Sequence, residues 1–131
     1  MEKNNDKSLI AVYGTLRKGC GNYEHLLKNA DYMGTFKSEP VYSMYSLGGF
    51  PGVKEGGSTP IILEVFAVNA EEAKNVDNLE GYSTNTVPYF YDKKEIDTPW
   101  GKAGIYTYVK QPDEDRLIVS GDWKNRNLIS V

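Results

Sequence analysis

The chain has 131 residues, which is enough for one compact domain and too few for two ordinary ones. Hydrophobic residues make up 40% and charged residues 25%, so the chain can bury a core. Its formal charge of −3, from 15 basic and 18 acidic residues, argues against a general nucleic-acid binder, which carries a basic face. Ten tyrosines favour a β-rich fold with a polar cavity.

The sequence predicts a soluble, cytoplasmic protein. Residues 1–7 are polar, lack the apolar stretch of a signal peptide and are predicted to form a disordered tail. No segment approaches the roughly 20 apolar residues that span a bilayer. The single cysteine, Cys20, cannot form an internal disulfide, which suits a reducing compartment. We therefore expect one domain over residues 8–131, with no membrane partner.

In the first half of the chain, short apolar and β-branched runs predict four strands, over 9–13, 32–36, 41–47 and 60–68. Glycines divide these runs. They predict a loop over 15–22 and turn-rich connections over 48–52 and 54–59. Residues 23–28 are compatible with a short helix that carries two leucines inward. A β-rich first half follows from this pattern.

The second half begins with helical spacing over 70–79, where apolar residues recur at three-residue steps. Asn69 is the predicted N-cap, and Gly81 is the predicted stop. Residues 87–96 and 102–110 then predict an antiparallel hairpin, with its turn at 98–101. The pattern fits an α+β domain whose antiparallel or mixed sheet closes into a small barrel.

The first candidate site is the end of the first predicted strand, from Tyr13 through Gly14, Thr15 and Leu16 to Arg17. A strand that ends in glycine exposes backbone N–H groups that have lost their ladder partners. Such donors can bind a carboxylate or an oxyanion, and the missing Cβ lets a ligand approach the main chain. The alternative is an ordinary strand-to-loop turn.

Glu80 is the second candidate, because it follows the predicted helix and precedes Gly81. The negative end of the helix dipole disfavours a carboxylate there, so together with partial burial it is expected to raise the pKa of Glu80 towards neutrality. Such a group can both accept and give a proton. The alternative is a surface glutamate. Asp77, three residues earlier, is either solvated or a hydrogen-bonding support.

Other chemistry finds little support in the sequence. Cys20 and His25 could form a nucleophile–base pair only if the fold brought them together, and surface or half-buried positions are the alternative for both. One histidine and one cysteine without ligand spacing predict no metal site. The glycine-rich stretches match neither a P-loop nor a dinucleotide fingerprint, so we expect no cofactor.

Taken together, several segments resemble the γ-glutamylcyclotransferase-like superfamily. They are VYGTLRKGCGN at 12–22, GFPG at 49–52, EVF at 64–66, VDNLEGY at 76–82 and AGIY at 103–106. The first segment resembles the Tyr-Gly-Ser/Thr-Leu signature of that family. Its combination with Asp-x-x-Glu-Gly about 60 residues later is the more specific feature. The resemblance is nearest to the γ-glutamylamine cyclotransferase branch.

The resemblance implies a small mixed β-barrel with flanking helices, and a cavity between the strand-end loop and Glu80. It also implies release of 5-oxoproline from a γ-glutamyl amine or a γ-glutamyl amino acid, with Glu80 as base and acid. The backbone of Gly14, Thr15 and Leu16 would hold the substrate, and Tyr13 and Tyr91 would wall the pocket or only pack in the core. A non-catalytic binding module on the same fold is the alternative. The oligomeric state is not predicted.

One position departs from the family pattern. Relatives often carry Tyr-x-Arg on the strand after the catalytic helix, whereas this chain has Tyr91, Asp92 and Lys93. Lysine provides a point charge where arginine provides a fork, so bidentate recognition would be lost. The identity of the leaving amine is therefore open. Arg17 is predicted to be a charge at the pocket rim.

Overall fold

A computed structural model of the chain describes residues 7–79 and 91–125. Seven strands and two α-helices make up this part of the protein, which confirms the α+β class. In chain order they are β1 (Ser8–Val12), α1 (Gly21–Leu26), β2 (Asp31–Lys37), β3 (Tyr42–Ser46), β4 (Pro51–Glu55), β5 (Ile62–Val68), α2 (Ala70–Leu79), β6 (Tyr91–Thr98) and β7 (Gly101–Tyr108).

Five strands form one mixed sheet in the order β2-β5-β1-β7-β6, and β3 pairs with β4 in a separate two-stranded sheet. Among the described strands, only β1 and β7 run parallel, and the other neighbours are antiparallel. The predicted closed barrel is wrong, because β2 and β6 remain edges of the five-stranded sheet in the described residues. Strands β3 and β4 pair with each other in a sheet of their own and pack against one face of the larger sheet, so they do not extend it towards closure.

Strand β1 shows how the sheet is buried on both faces. Its alternate side chains point to opposite sides, as the period of two requires. Ile10 and Val12 pack with residues of the two helices, whereas Ala11 and Tyr13 pack with residues of the β3–β4 hairpin. This explains why the first strand reads as a continuous apolar run rather than an alternating one.

Strand β4 is the element that the sequence analysis missed. Residues 51–55 pair with β3 from Tyr42↔Glu55 to Ser46↔Pro51, although two glycine-rich connections were predicted around them. Residue 52 is a glycine because a Cβ atom at this position would lie 2.9 Å from Cβ of Tyr108, which is closer than two such carbons approach. A long-range contact, and not a turn, therefore requires this glycine.

Helix α2 begins with a capping box. The side chain of Asn69 accepts a hydrogen bond from the N–H of Glu72 at 2.7 Å, and the Glu72 carboxylate accepts one from the N–H of Asn69 at 2.9 Å. The predicted N-cap is thus confirmed. The predicted helix over 70–79 matches α2 residue for residue.

Some predictions fall outside the described residues. These are residues 1–6 of the predicted tail, the predicted helix stop Gly81, and residues 87–90 of the strand that precedes the last turn. Lys7, the last residue of the predicted tail, forms an ion pair with Asp31 at 2.8 Å. Within residues 7–79 and 91–125, no helix has both the length and the apolar character needed to cross a bilayer.

Candidate active site

A cavity of about 470 Å³ opens where the carboxyl ends of the parallel strands β1 and β7 meet the β3–β4 hairpin. Its size and its largely apolar wall are typical of a small-molecule site. The described residues that line it come from the end of β1 and the turn after it, the β3–β4 turn, and strands β6 and β7. They are Ala11, Val12, Tyr13, Gly14, Thr15, Leu16, Leu47, Gly49, Phe50, Pro51, Tyr91, Tyr106 and Tyr108.

The turn that follows β1 lines this cavity with its main chain. The N–H of Arg17 donates to the carbonyl of Gly14 at 3.0 Å, which closes a tight turn over residues 14–17. Among the described residues, the N–H groups of Gly14 and Leu16 have no hydrogen-bond acceptor. Buried N–H groups are costly to leave without an acceptor, so a ligand with a carboxylate or an oxyanion would satisfy them.

Gly14 is close to the β3–β4 turn across the cavity. A Cβ atom built onto Gly14 would lie 2.7 Å from both Cγ and Cδ of Pro51. The sequence analysis attributed this glycine to the approach of a ligand. The structure adds a second reason, since the ring of Pro51 already occupies the space that a Cβ would need.

Two tyrosines fix the walls through their hydroxyl groups. Tyr13 Oη donates to the carbonyl of Tyr106 at 2.6 Å, and Tyr91 Oη donates to the carbonyl of Pro51 at 2.9 Å. The ring of Tyr91 also packs at 60° against the ring of Tyr108, with centroids 5.5 Å apart. Tyr13 and Tyr91 are therefore both core residues and cavity walls, which the sequence analysis had posed as alternatives.

The prediction that Arg17 is a charge at the rim is wrong. Its side chain is 5% exposed, and Nε donates to Glu64 Oε2 at 2.9 Å while one terminal nitrogen donates to Asp122 Oδ1 at 2.5 Å. The other oxygen of Glu64 accepts a hydrogen bond from the N–H of Lys18 at 2.7 Å. We name Arg17, Glu64 and Asp122 the loop clamp, because they connect the turn at 14–17 to strand β5 and to the segment around residue 122.

The ion pairs of the loop clamp shift the pKa values of Arg17 and Asp122. Burial opposes the charged form of Arg17, but hydrogen bonds to Asp122 and Glu64 outweigh it and raise the pKa of Arg17. Burial likewise opposes ionisation of Asp122, yet the hydrogen bond from Arg17 prevails and lowers the pKa of Asp122 below its ordinary value. Both groups therefore stay ionised at neutral pH.

A second polar group ties α2 to the cavity wall. Asp77 Oδ1 accepts a hydrogen bond from Lys93 Nζ at 3.1 Å and a short one from the hydroxyl of Tyr106. Of the two roles weighed for Asp77, the hydrogen-bonding support is the one observed. Lys93, which stands where relatives often carry arginine, contacts the helix and is not among the described residues that line the cavity.

The structure brings five of the six predicted site residues together, since Tyr13, Gly14, Thr15, Leu16 and Tyr91 all line the cavity. Their contacts with a substrate stay a prediction. Glu80 lies outside the described residues, and the described helix α2 ends at the residue before it. Cys20 is half-buried at the start of α1, and the side chain of His25 lies outside those described.

Sequence reasoning missed several wall residues. Tyr108 was assigned to a strand but not to the site, and Leu47 and Phe50 were read as the end of a strand and a turn. For Tyr108 a signal existed, because Tyr106 and Tyr108 are two residues apart on β7 and so share a face. For Leu47 and Phe50 no local signal existed, since only the β3–β4 pairing brings their turn to the end of β1.

Comparison with known proteins places this architecture in one family. The family model described as gamma-glutamyl cyclotransferase, AIG2-like, matches residues 10–125. A Vibrio cholerae relative named after the same activity is 38% identical over 118 residues, which is 90% of this chain and 96% of the relative. The gamma-glutamylcyclotransferase family protein YtfP of Escherichia coli K12 is 36% identical over 118 residues, 90% of this chain and 97% of its own.

Solved structures agree with the fold. The crystal structure of a Pyrococcus horikoshii protein superposes with a TM-score of 0.76 at 30% identity and covers 92% of this chain and 93% of its own. The fold is therefore shared with a protein of similar length.

Proposed function

Because this chain belongs to the gamma-glutamyl cyclotransferase, AIG2-like family and is an enzyme of the cyclotransferase type, we propose that it releases 5-oxoproline from a γ-glutamyl amine or a γ-glutamyl amino acid. The observation that supports this most is the cavity lined by the turn at 14–16, where the N–H groups of Gly14 and Leu16 have no acceptor among the described residues. We further propose a small-molecule substrate, no cofactor, and a cytoplasmic location.

The proposed reaction needs few protein groups, because the substrate supplies its own nucleophile. The α-amine of a γ-glutamyl compound attacks the γ-carbonyl carbon of the same molecule, a five-membered lactam forms, and the amide bond to the leaving amine breaks. Intramolecular attack in a held geometry is equivalent to effective concentrations of about 10⁵–10⁸ M. The protein must hold the folded substrate, deprotonate its α-ammonium group and protonate the departing amine.

We assign both proton transfers to Glu80, which takes the proton of the α-ammonium group and gives it to the leaving nitrogen. The assignment is supported by the position of Glu80 in the chain, directly after the helix that Asp77 ties to Tyr106 in the cavity wall. The N–H groups of Gly14, Thr15 and Leu16 hold the α-carboxylate or the oxyanion that develops on the γ-carbonyl oxygen.

The test is the Glu80→Gln variant, which keeps the shape of the side chain and removes its proton transfer. Release of 5-oxoproline from γ-glutamyl substrates should fall by about 10²–10⁴-fold. The matched control is Glu71→Gln, because Glu71 is an exposed glutamate on helix α2. Near-normal turnover in a folded Glu80→Gln variant would remove Glu80 from the mechanism. Silence of the wild type across γ-glutamyl substrates would favour a non-catalytic binding module.

A further inference from the structure

The turn at 14–17, which lines the cavity, is connected through its main chain to two neighbouring elements. The carbonyl of Thr15 accepts a hydrogen bond from the N–H of Tyr23 in α1 at 3.2 Å. The N–H of Lys18, directly after the turn, donates to Glu64 on β5 at 2.7 Å. The position of the turn relative to the cavity therefore depends on elements that lie far from it in the chain.

A third element, the segment at 120–125, contacts the same turn at two points. Asp122 Oδ1 accepts a hydrogen bond from a terminal nitrogen of Arg17 at 2.5 Å. Nζ of Lys124 donates to the carbonyl of Lys18 at 2.6 Å. Because Arg17 and Lys18 are adjacent, the segment holds both residues at the end of the turn.

The segment at 120–125 is itself well anchored in the fold. The carbonyl of Gly121 accepts a hydrogen bond from the N–H of Ile62 on β5 at 2.9 Å. Trp123 is 3% exposed and belongs to the same apolar cluster as Tyr13, which lines the cavity. Asp122 lies between these two anchored residues, so its carboxylate is carried by a fixed backbone.

Asp122 contributes more to Arg17 than charge neutralisation, because Glu64 already provides a negative charge. Glu64 accepts the hydrogen bond from Nε, whereas Asp122 accepts the one from a terminal nitrogen, so the planar guanidinium group is fixed at two points. With Glu64 alone, the guanidinium group could pivot about Nε, and the turn that carries it could shift. A shift of about 1 Å in groups that position a substrate can lower the rate by about 10²-fold.

We propose that Asp122 is a positioning residue for the cavity, which acts through Arg17 to hold the turn at 14–17 where it meets the substrate. The inference rests on the proposed function and extends it, because none of the residues at 120–125 lines the cavity. The segment thus shapes the site from behind the turn, without touching the substrate.

The test compares Asp122→Ala, Asp122→Asn and Val68→Ala. The first variant removes the acceptor for Arg17, and the second keeps an oxygen there but loses the charge. The third removes core atoms at the end of β1 opposite to the cavity, since the buried Val68 pairs with Ser8. The side chain of Asp122 is 17% exposed, so both changes at this position should fold.

The readout is kcat/KM per folded molecule for 5-oxoproline release, from whichever of γ-glutamyl-leucine and γ-glutamyl-3-methylbutylamide the wild type turns over faster. We expect a fall of at least about ten-fold in Asp122→Ala. Asp122→Asn should lie between Asp122→Ala and the wild type, because a neutral acceptor makes the weaker hydrogen bond. Val68→Ala should keep the wild-type value, since a loss of stability alone does not change kcat/KM of the molecules that stay folded.

Amide hydrogen exchange, followed by NMR, separates this inference from the proposed function. The N–H groups of Arg17 and Lys18 are both hydrogen-bonded, and they should exchange faster in Asp122→Ala than in Val68→Ala. Equal exchange in these two variants, or equal kcat/KM values, would overturn the inference and leave the cyclotransferase reaction standing. No 5-oxoproline from the wild type would overturn the proposed function, and the exchange rates alone would then decide whether Asp122 holds the turn.

Discussion

The ring of Pro51 packs against the Cα of Gly14, so closely that a Cβ on Gly14 would approach two ring carbons to 2.7 Å. This contact joins the end of β1 to the β3–β4 turn and thereby sets the distance between two walls of the cavity. The hydrogen bond from Tyr91 to the carbonyl of Pro51 holds the same turn from the other side. The position of the β3–β4 turn in the site thus depends on the glycine–proline contact and on this hydrogen bond.

The Gly14→Ala variant should be destabilised by about 1–3 kcal/mol, because overpacking forces the turn outward. The measurement is urea unfolding followed by circular dichroism. The double variant Gly14→Ala/Pro51→Ala should recover part of the loss, because the second change removes the ring atoms that clash. Gly21→Ala is the control, since an added Cβ there meets no atom within 4 Å. Equal stability of Gly14→Ala and the wild type would contradict the contact.

Breaking the loop clamp should lower the free energy of unfolding by more than Gly14→Ala does. In Arg17→Met the carboxylates of Glu64 and Asp122 lose their main partner, and removal of one member of a buried ion pair costs about 3–5 kcal/mol. Lys102→Met is the comparison, because its pair with Asp97 is exposed and such pairs contribute at most about 1 kcal/mol. The measurement is the free energy of unfolding of both variants. If it falls by similar amounts in Arg17→Met and Lys102→Met, Arg17 does not hold the loop clamp together.

The lowered pKa of Asp122 predicts an acid-sensitive fold. A carboxyl group whose pKa is lower in the folded than in the unfolded state stabilises the fold above its unfolded pKa, about 3.9 for aspartate. That stabilisation is lost as the pH falls through the lower, folded pKa. The unfolding free energy of the wild type should therefore drop below about pH 4, and Asp122→Asn should show a shallower drop.

Urea unfolding at a series of pH values measures this dependence. The exposed Asp115 provides the control, because Asp115→Asn should follow the wild-type curve. If Asp122→Asn shows the same pH dependence as the wild type, the ion pair with Arg17 does not contribute in the way proposed.

Much of the fold could be predicted from the sequence, because strand patterning, helix capping and turn formation depend on neighbouring residues. The apolar run of β1, the N-cap at Asn69 and the hairpin turn at 98–101 each rest on neighbouring residues, and the structure confirms all three. Strand β4 and the open edges of the sheet depend on pairing between distant segments. Gly52 illustrates the difference, because its reason is the ring of Tyr108, 56 positions later in the chain.

The site also combines features that depend on neighbouring residues with features that depend on distant ones. The turn after Gly14 could be predicted to line the cavity, since a strand that ends in glycine passes into a loop there. The burial of Arg17 could not, because its partners Glu64 and Asp122 are 47 and 105 positions away in the chain. From the sequence, an arginine in a predicted loop is expected to be exposed to solvent. Only the fold brings the two carboxylates that pair with it.

The most direct test of the account asks which atom attacks the γ-carbonyl. The enzyme is incubated with γ-glutamyl-3-methylbutylamide in water enriched in ¹⁸O, and the products are identified by mass spectrometry. Attack by the α-amine predicts 5-oxoproline without ¹⁸O and an equal amount of 3-methylbutylamine. Enzyme-dependent formation of glutamate that carries ¹⁸O would show that water is the nucleophile and would contradict the cyclotransferase mechanism.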